Sequence, residues 1–155
     1  LWLVQVAVKL RIPLVVTAED MHQIGSIIPE LRQVLPANTT IFNKMSFGLA
    51  ADPEIMAAIE TTRRRTPVLL GLETDVCVAQ SALGLLQHGF QVVVVEDAVA
   101  SPGQAHRFGL ARMRAAGAVL SNAKSLFYEW MRTVARTDAF LKAHADTLGD
   151  PGIGL

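Results

Sequence analysis

The ten residues Val68–Cys77 read VLLGLETDVC, and their reading decides the fold. The first five are apolar or glycine and read as a buried parallel strand, and the polar residues after them read as a turn into a helix. Cys77, the chain's one cysteine, then falls at or near the first turn of that helix. Free N–H groups and the positive end of the helix dipole favour a thiolate there, the nucleophilic form of the side chain. A lone cysteine is often just a small buried apolar residue. However, open α/β sheets bind ligands just beyond the carboxyl ends of their strands, and that gives this position a chemical meaning.

Outward from this stretch, strand and helix signals alternate. Pro67 punctuates before the strand, and Asp75–His88 reads as a helix closed by Gly89. Val92–Val95, four valines without alternation, read as a strand buried on both faces. A helix over 104–116 ends at Gly117, and a brief strand follows at 118–120. On the other side, Asp52, Pro53 and Glu54 supply an N-cap, a first-position proline and a first-turn acid. Residues 12–17 and 39–42 read as strands, 1–11 as a helix, and 123 to about 148 as a last helical region broken near Asp138. The alternation implies right-handed βαβ units: an α/β fold of three layers, α/β/α, around a parallel sheet. The whole of 1–155 reads as a single domain with a tail over 138–155. Since Leu1 already reads as helix, further sequence is expected upstream.

Composition narrows the function. Acidic and basic residues balance at 14 each, so no field of one sign argues for nucleic acid or an anionic membrane. The run Arg63, Arg64, Arg65 reads as the solvated end of a helix. Every apolar run is too short or too interrupted to span a bilayer. With one cysteine there is no internal disulfide, and with no leader signature a cytoplasmic location is expected. The chain is 51% apolar, which predicts a homo-oligomer. Its expected apolar face is Leu126, Phe127, Trp130, Met131 and Val134.

Several residues could carry chemistry. Lys44 follows the second strand and emerges at the same edge as Cys77, where a cation lowers a thiol pKa. Asp20 and His22 are too few for a metal site, so no metal is expected. Glu96 and Asp97, placed after the valine strand, could orient a partner or cap a helix. His88 reads as a cation at a helix C-terminus. No glycine-rich nucleotide motif is present, and no cofactor is expected.

The run Gly71–Gln80, with Ala82, Leu85, Leu86, Gly89, Phe90 and 92–100, resembles the isochorismatase-like cysteine hydrolases, and more narrowly their isochorismatase-domain-containing branch. Lys44–Phe47 and Ile28–Leu31 resemble the same branch. The resemblance implies catalysis by Cys77 with help from Lys44. It also implies an oxyanion hole from the N–H groups of Glu73 and Cys77 and a cis peptide joining Leu72 to Glu73. The family's base is an aspartate on a V-x-D-x-Q-like strand, which has no match here, and Glu19 and Asp20 follow the wrong strand to replace it. The nicotinamidase branch's metal-binding histidines also have no match. The expected function is hydrolysis of a small amide or related C–N bond through a thioester on Cys77. The alternatives are a pseudoenzyme or assembly subunit of the same fold and, more weakly, a redox-sensing thiol protein.

Overall fold

The computed structural model describes residues 1–152. In chain order the helices and strands are α1 (Trp2–Lys9), β1 (Val16–Glu19), α2 (Pro29–Val34), β2 (Ile41–Lys44), α3 (Pro53–Thr61), β3 (Val68–Leu72), α4 (Ala79–Gln87), β4 (Val93–Ala100), α5 (Ala105–Ala115), β5 (Val119–Ser121), α6 (Ala123–Met131) and α7 (Val134–Ala143). A 3-10 turn at Leu49–Ala51 precedes α3, and a π-helical turn at Thr74–Val78 precedes α4.

The chain forms two compact units. The first gathers Leu1–Leu14, Ile27–Thr39 and the chain from Ala123 onward. Its core is aromatic: Phe127 is fully buried and meets Trp2 edge-on at a centroid distance of 5.1 Å, with Phe140 at 6.1 Å. Leu126, Phe127 and Met131 thus line this unit's own interior, and of the face expected to drive self-association Val134 is left 78% exposed. The last helical region breaks at Arg132 and Thr133 rather than near Asp138. Arg132 takes a left-handed φ of 67°, and the Thr133 hydroxyl caps α7 by accepting the Arg136 N–H. Residues 138–143, the first part of the expected tail, belong to α7.

The second unit, Val15–Ser26 with Thr40–Asn122, holds every strand among the described residues. All pairings are parallel, as predicted, but they form two sheets in place of the single one expected, β1–β2 and β3–β4–β5. Helices flank them around a core that includes Ile55, Leu85, Val92, Val94 and Met113. Asp52 caps α3 through the Glu54 and Ile55 N–H groups, as its sequence signature predicts. β4 is longer than the valine run: after an irregularity opposite Leu69–Gly71, Val99 and Ala100 pair with Gly71 and Leu72. Glu96 and Asp97 therefore lie within the strand, and the N-cap position of the next helix is Gln104.

Candidate active site

The register of β1 on β2 builds the site. Glu19 stands opposite Lys44 at the carboxyl ends of two parallel strands, so both side chains emerge at one edge. The Lys44 ammonium is 3.1 Å from Glu19 Oε2, and the side chain is only 5% exposed. It also donates to the Ser46 carbonyl and approaches Cys77 Sγ at 3.6 Å. An ammonium has three donors, and here each has a partner.

Cys77 comes from the third strand's side. β3 leads through the cis peptide between Leu72 and Glu73 into the π-helical turn that carries the cysteine. The thiol donates to Glu19 Oε2 at 2.9 Å. Cys77, Lys44 and Glu19 thus form one connected cluster. Glu19 ends a strand other than the one expected to carry the family's base, and the β1–β2 register nevertheless brings its carboxylate to the thiol. The missed signal is a carboxylate on the last residue of a strand whose parallel neighbour ends in the lysine. Only the pairing register reveals it.

The electrostatics also reverse an expectation. The Cys77 thiol is pushed up from its ordinary value, first by burial and then by the hydrogen bond it gives Glu19, and Lys44 offsets this only in part. A helix N-terminus predicts a lowered thiol pKa; here desolvation and an adjacent carboxylate outweigh it. Glu19 moves the other way, its carboxyl held below the usual range by the hydrogen bonds from Cys77 and Lys44. The resting pair is a neutral thiol beside a carboxylate.

The turn under the cysteine is held on several sides. Ser81 donates to the Cys77 carbonyl at 2.6 Å and accepts the Leu49 N–H at 3.2 Å. Buried Thr74 lies 2.9 Å from His106 Nδ1, and Asp75 accepts from the Ser101 hydroxyl at 2.6 Å. Gly109 of α5 lets that helix press on the turn: a Cβ there would come within 2.7 Å of the Asp75 Cα. None of these supports was singled out from sequence: apart from the local Ser81–Cys77 bond, each depends on a contact across many residues.

A cavity of about 120 Å³ opens on the cluster, lined by Glu19, Lys44 and Cys77 with Thr17, Ser81, Leu49, Leu69, Leu70, Leu72 and Val78. Asp20 and His22 are not among its walls. Asp20 sits in a turn at a φ of 40°, and His22 is exposed. Among the described residues no group of three or more His, Cys, Asp or Glu could hold a metal ion, and no helix is long and apolar enough to cross a membrane. His88 ends α4 as expected, its Nδ1 2.9 Å from the Gly84 carbonyl.

Comparison with known proteins identifies the family and the fold. The isochorismatase domain model matches residues 3–125. The chain is similar to the secreted isochorismatase effector Isc1 of Phytophthora sojae, 34% identical over 132 residues that make up 82% of this chain and 62% of that protein. The chain thus spans less than two thirds of that relative's length. Among solved structures, YcaC from Pseudomonas aeruginosa, determined with hexane-2,5-diol and covalent acrylamide, matches 92% of this chain and 74% of its own at a TM-score of 0.80 and 29% identity. The MAR1 ribonuclease of Caenorhabditis elegans matches 99% of this chain and 80% of its own, at a TM-score of 0.83 and 28% identity. The YcaC gene product of Escherichia coli, an octameric hydrolase of unknown specificity, has the same fold at a TM-score of 0.81 and 23% identity, over 92% of this chain and 73% of its own.

Proposed function

We propose, for a chain that belongs to the isochorismatase family, that it is a cysteine hydrolase of small amides or related C–N bonds, with Cys77 as nucleophile and Glu19 as proton carrier. The observation that carries this reading is the 2.9 Å hydrogen bond from the Cys77 thiol to a carboxylate that is itself paired with Lys44.

The chemistry follows from the resting protonation states. Ordinary thiol and carboxyl pKa values differ by about 4 units, so moving the proton to Glu19 before attack costs roughly 6 kcal/mol, and the site widens that gap. The proton therefore moves as the C–S bond forms, and Glu19 acts as a general base in the transition state. The sulfur adds to the amide carbon, and the carbonyl π electrons pass to oxygen. The N–H groups of Glu73 and Cys77 are the proposed donors to that oxyanion. Glu19 returns the proton to nitrogen, the C–N bond breaks, and ammonia or an amine leaves a thioester. Water then attacks the thioester with Glu19 again as base, releasing a carboxylic acid and restoring the thiol. Lys44 stabilises the anionic sulfur of the transition state and keeps Glu19 ionised and ready to accept.

The covalent acrylamide in the Pseudomonas YcaC structure supports an amide-sized occupant for this fold. The expected homo-oligomer is part of the reading, supported by the octameric Escherichia coli product. The test is ammonia release from short amides, with mass spectrometry of Cys77 during turnover. Wild-type protein should carry an acyl adduct on Cys77. C77A should be inactive, and E19Q should lose ~10² to 10⁴ in kcat, the usual worth of general acid–base assistance. Undiminished turnover by C77A would refute the reading, and a folded chain inert to every amide would favour the non-catalytic alternative.

A further inference from the structure

The charges around Cys77 cancel. Among the described residues lining its cavity, the ionisable side chains besides the thiol are Glu19 and Lys44, and they pair with each other at 3.1 Å. The three donors of the ammonium are taken by Glu19, the Ser46 carbonyl and the Cys77 sulfur, which leaves none to receive an anionic ligand. The Ser81 hydroxyl proton is committed to the Cys77 carbonyl. The Glu19 side chain is about one-third exposed, so an entering anion meets a carboxylate before it meets any unengaged cation. The remaining walls are leucines and a valine, together with Thr17, which shares Glu19's face of β1 and can offer a neutral hydroxyl.

Size points the same way. A cavity of about 120 Å³ lies well below the ~300 to 1,000 Å³ of common ligand pockets, which favours a small occupant beside the sulfur.

We propose that this site selects small uncharged acyl compounds with a short aliphatic substituent and rejects carboxylates of the same size. The proposal deepens the hydrolase reading and rests on it for turnover. Its test does not, because the selectivity can be read from the reactivity of the thiol alone.

Iodoacetamide and iodoacetate are near-isosteres that differ by one negative charge. Each alkylates a thiol by the same step: sulfur displaces iodide from the methylene carbon, the C–I bond breaks, and the thiol proton is lost to solvent. With one cysteine in the chain, the label has a single destination. The rates are compared at fixed pH and ionic strength and normalised to the same pair of reagents on the urea-unfolded chain. The expected result is an iodoacetamide-to-iodoacetate ratio at least ~tenfold above that of the unfolded chain, since apposed like charges cost on the order of 1.4 kcal/mol or more. In E19Q the lysine loses its counter-ion, and the ratio should fall back towards that of the unfolded chain or below it.

A wild-type ratio within about twofold of the unfolded chain's overturns the proposal, as does a preference for iodoacetate. An elevated ratio that E19Q leaves unchanged overturns it too, because the selectivity would then not arise from the Glu19–Lys44 pair. Should E19Q not fold, the wild-type ratio decides. A negative result here leaves C77A turnover as the independent measure of the hydrolase reading.

Discussion

Replacing Glu19 with Gln should make Cys77 react faster with alkylating agents while slowing the proposed amide hydrolysis. The glutamine keeps the side chain's length and a hydrogen-bonding oxygen but removes a negative charge 2.9 Å from the sulfur. At that distance two unit charges interact by about 1.4 kcal/mol with the dielectric constant of water, and by roughly four times as much at an effective value near 20. Cys77 is partly exposed, so the lower figure is the safer floor. One pH unit in a thiol midpoint corresponds to ~1.4 kcal/mol. The sign is set by the charge removed: Glu19 raises the thiol pKa and Lys44, at 3.6 Å, lowers it. With the carboxylate gone, only the lowering partner remains.

Wild-type Cys77 should therefore alkylate with a midpoint above the ordinary thiol value of ~8.5, and E19Q at least about one unit below wild type. At neutral pH the thiolate fraction then rises roughly tenfold and the alkylation rate about three- to fourfold, because intrinsic nucleophilicity falls with pKa at a Brønsted slope of ~0.4 to 0.5. The assay is the iodoacetamide rate between pH 6 and 11, followed by intact mass. An E19Q midpoint equal to or above wild type would falsify the electrostatic account, and so would a wild-type midpoint at or below the ordinary value.

Two further outcomes follow from packing. Gly109→Ala would set a methyl 2.7 Å from the Asp75 Cα and 2.8 Å from its nitrogen, both backbone atoms, so α5 or the π-helical turn must shift. A loss of about 1 to 3 kcal/mol in urea unfolding is expected, together with a changed Cys77 alkylation rate. Wild-type values for both would show that the two backbones are not in contact. Phe127→Ala should cost ~3 to 5 kcal/mol, since it empties the centre of the Trp2, Phe127 and Phe140 cluster. A loss below about 1 kcal/mol would show that this aromatic core is loosely packed.

What the sequence revealed and what it hid have separate physical causes. Cys77 and Lys44 were visible because each follows a recognisable apolar strand, and parallel strands deliver their carboxyl ends to one edge. The Asp52 cap and the glycine ends of the helices were visible because they depend only on neighbouring residues. Glu19 was hidden because its partnership depends on which residue of β2 lies opposite it, and nothing within either strand encodes that pairing. The extent of β4 was hidden because Glu96 and Asp97 look like a strand's end, whereas the continuation is fixed by pairing with Gly71 and Leu72. The direction of the thiol pKa was misjudged for the same reason: the helix end is local and legible, the carboxylate is distant and was not.

The two units differ in how their chain is drawn together, and that bears on the order of assembly during synthesis. The unit with the thiol has all of its segments once Asn122 is made, so Glu19, Lys44 and Cys77 can meet early. The other must wait for α6 and α7 before Phe127 can reach Trp2, and Lys9 meets Thr147 across 138 residues. At ~5 to 20 residues per second, a nascent chain spends seconds with α1 made and the partners of that helix not yet translated. During that interval Trp2, Leu3 and Val6 are without their final cover, so α1 stays an uncovered apolar segment while Cys77 is already being housed.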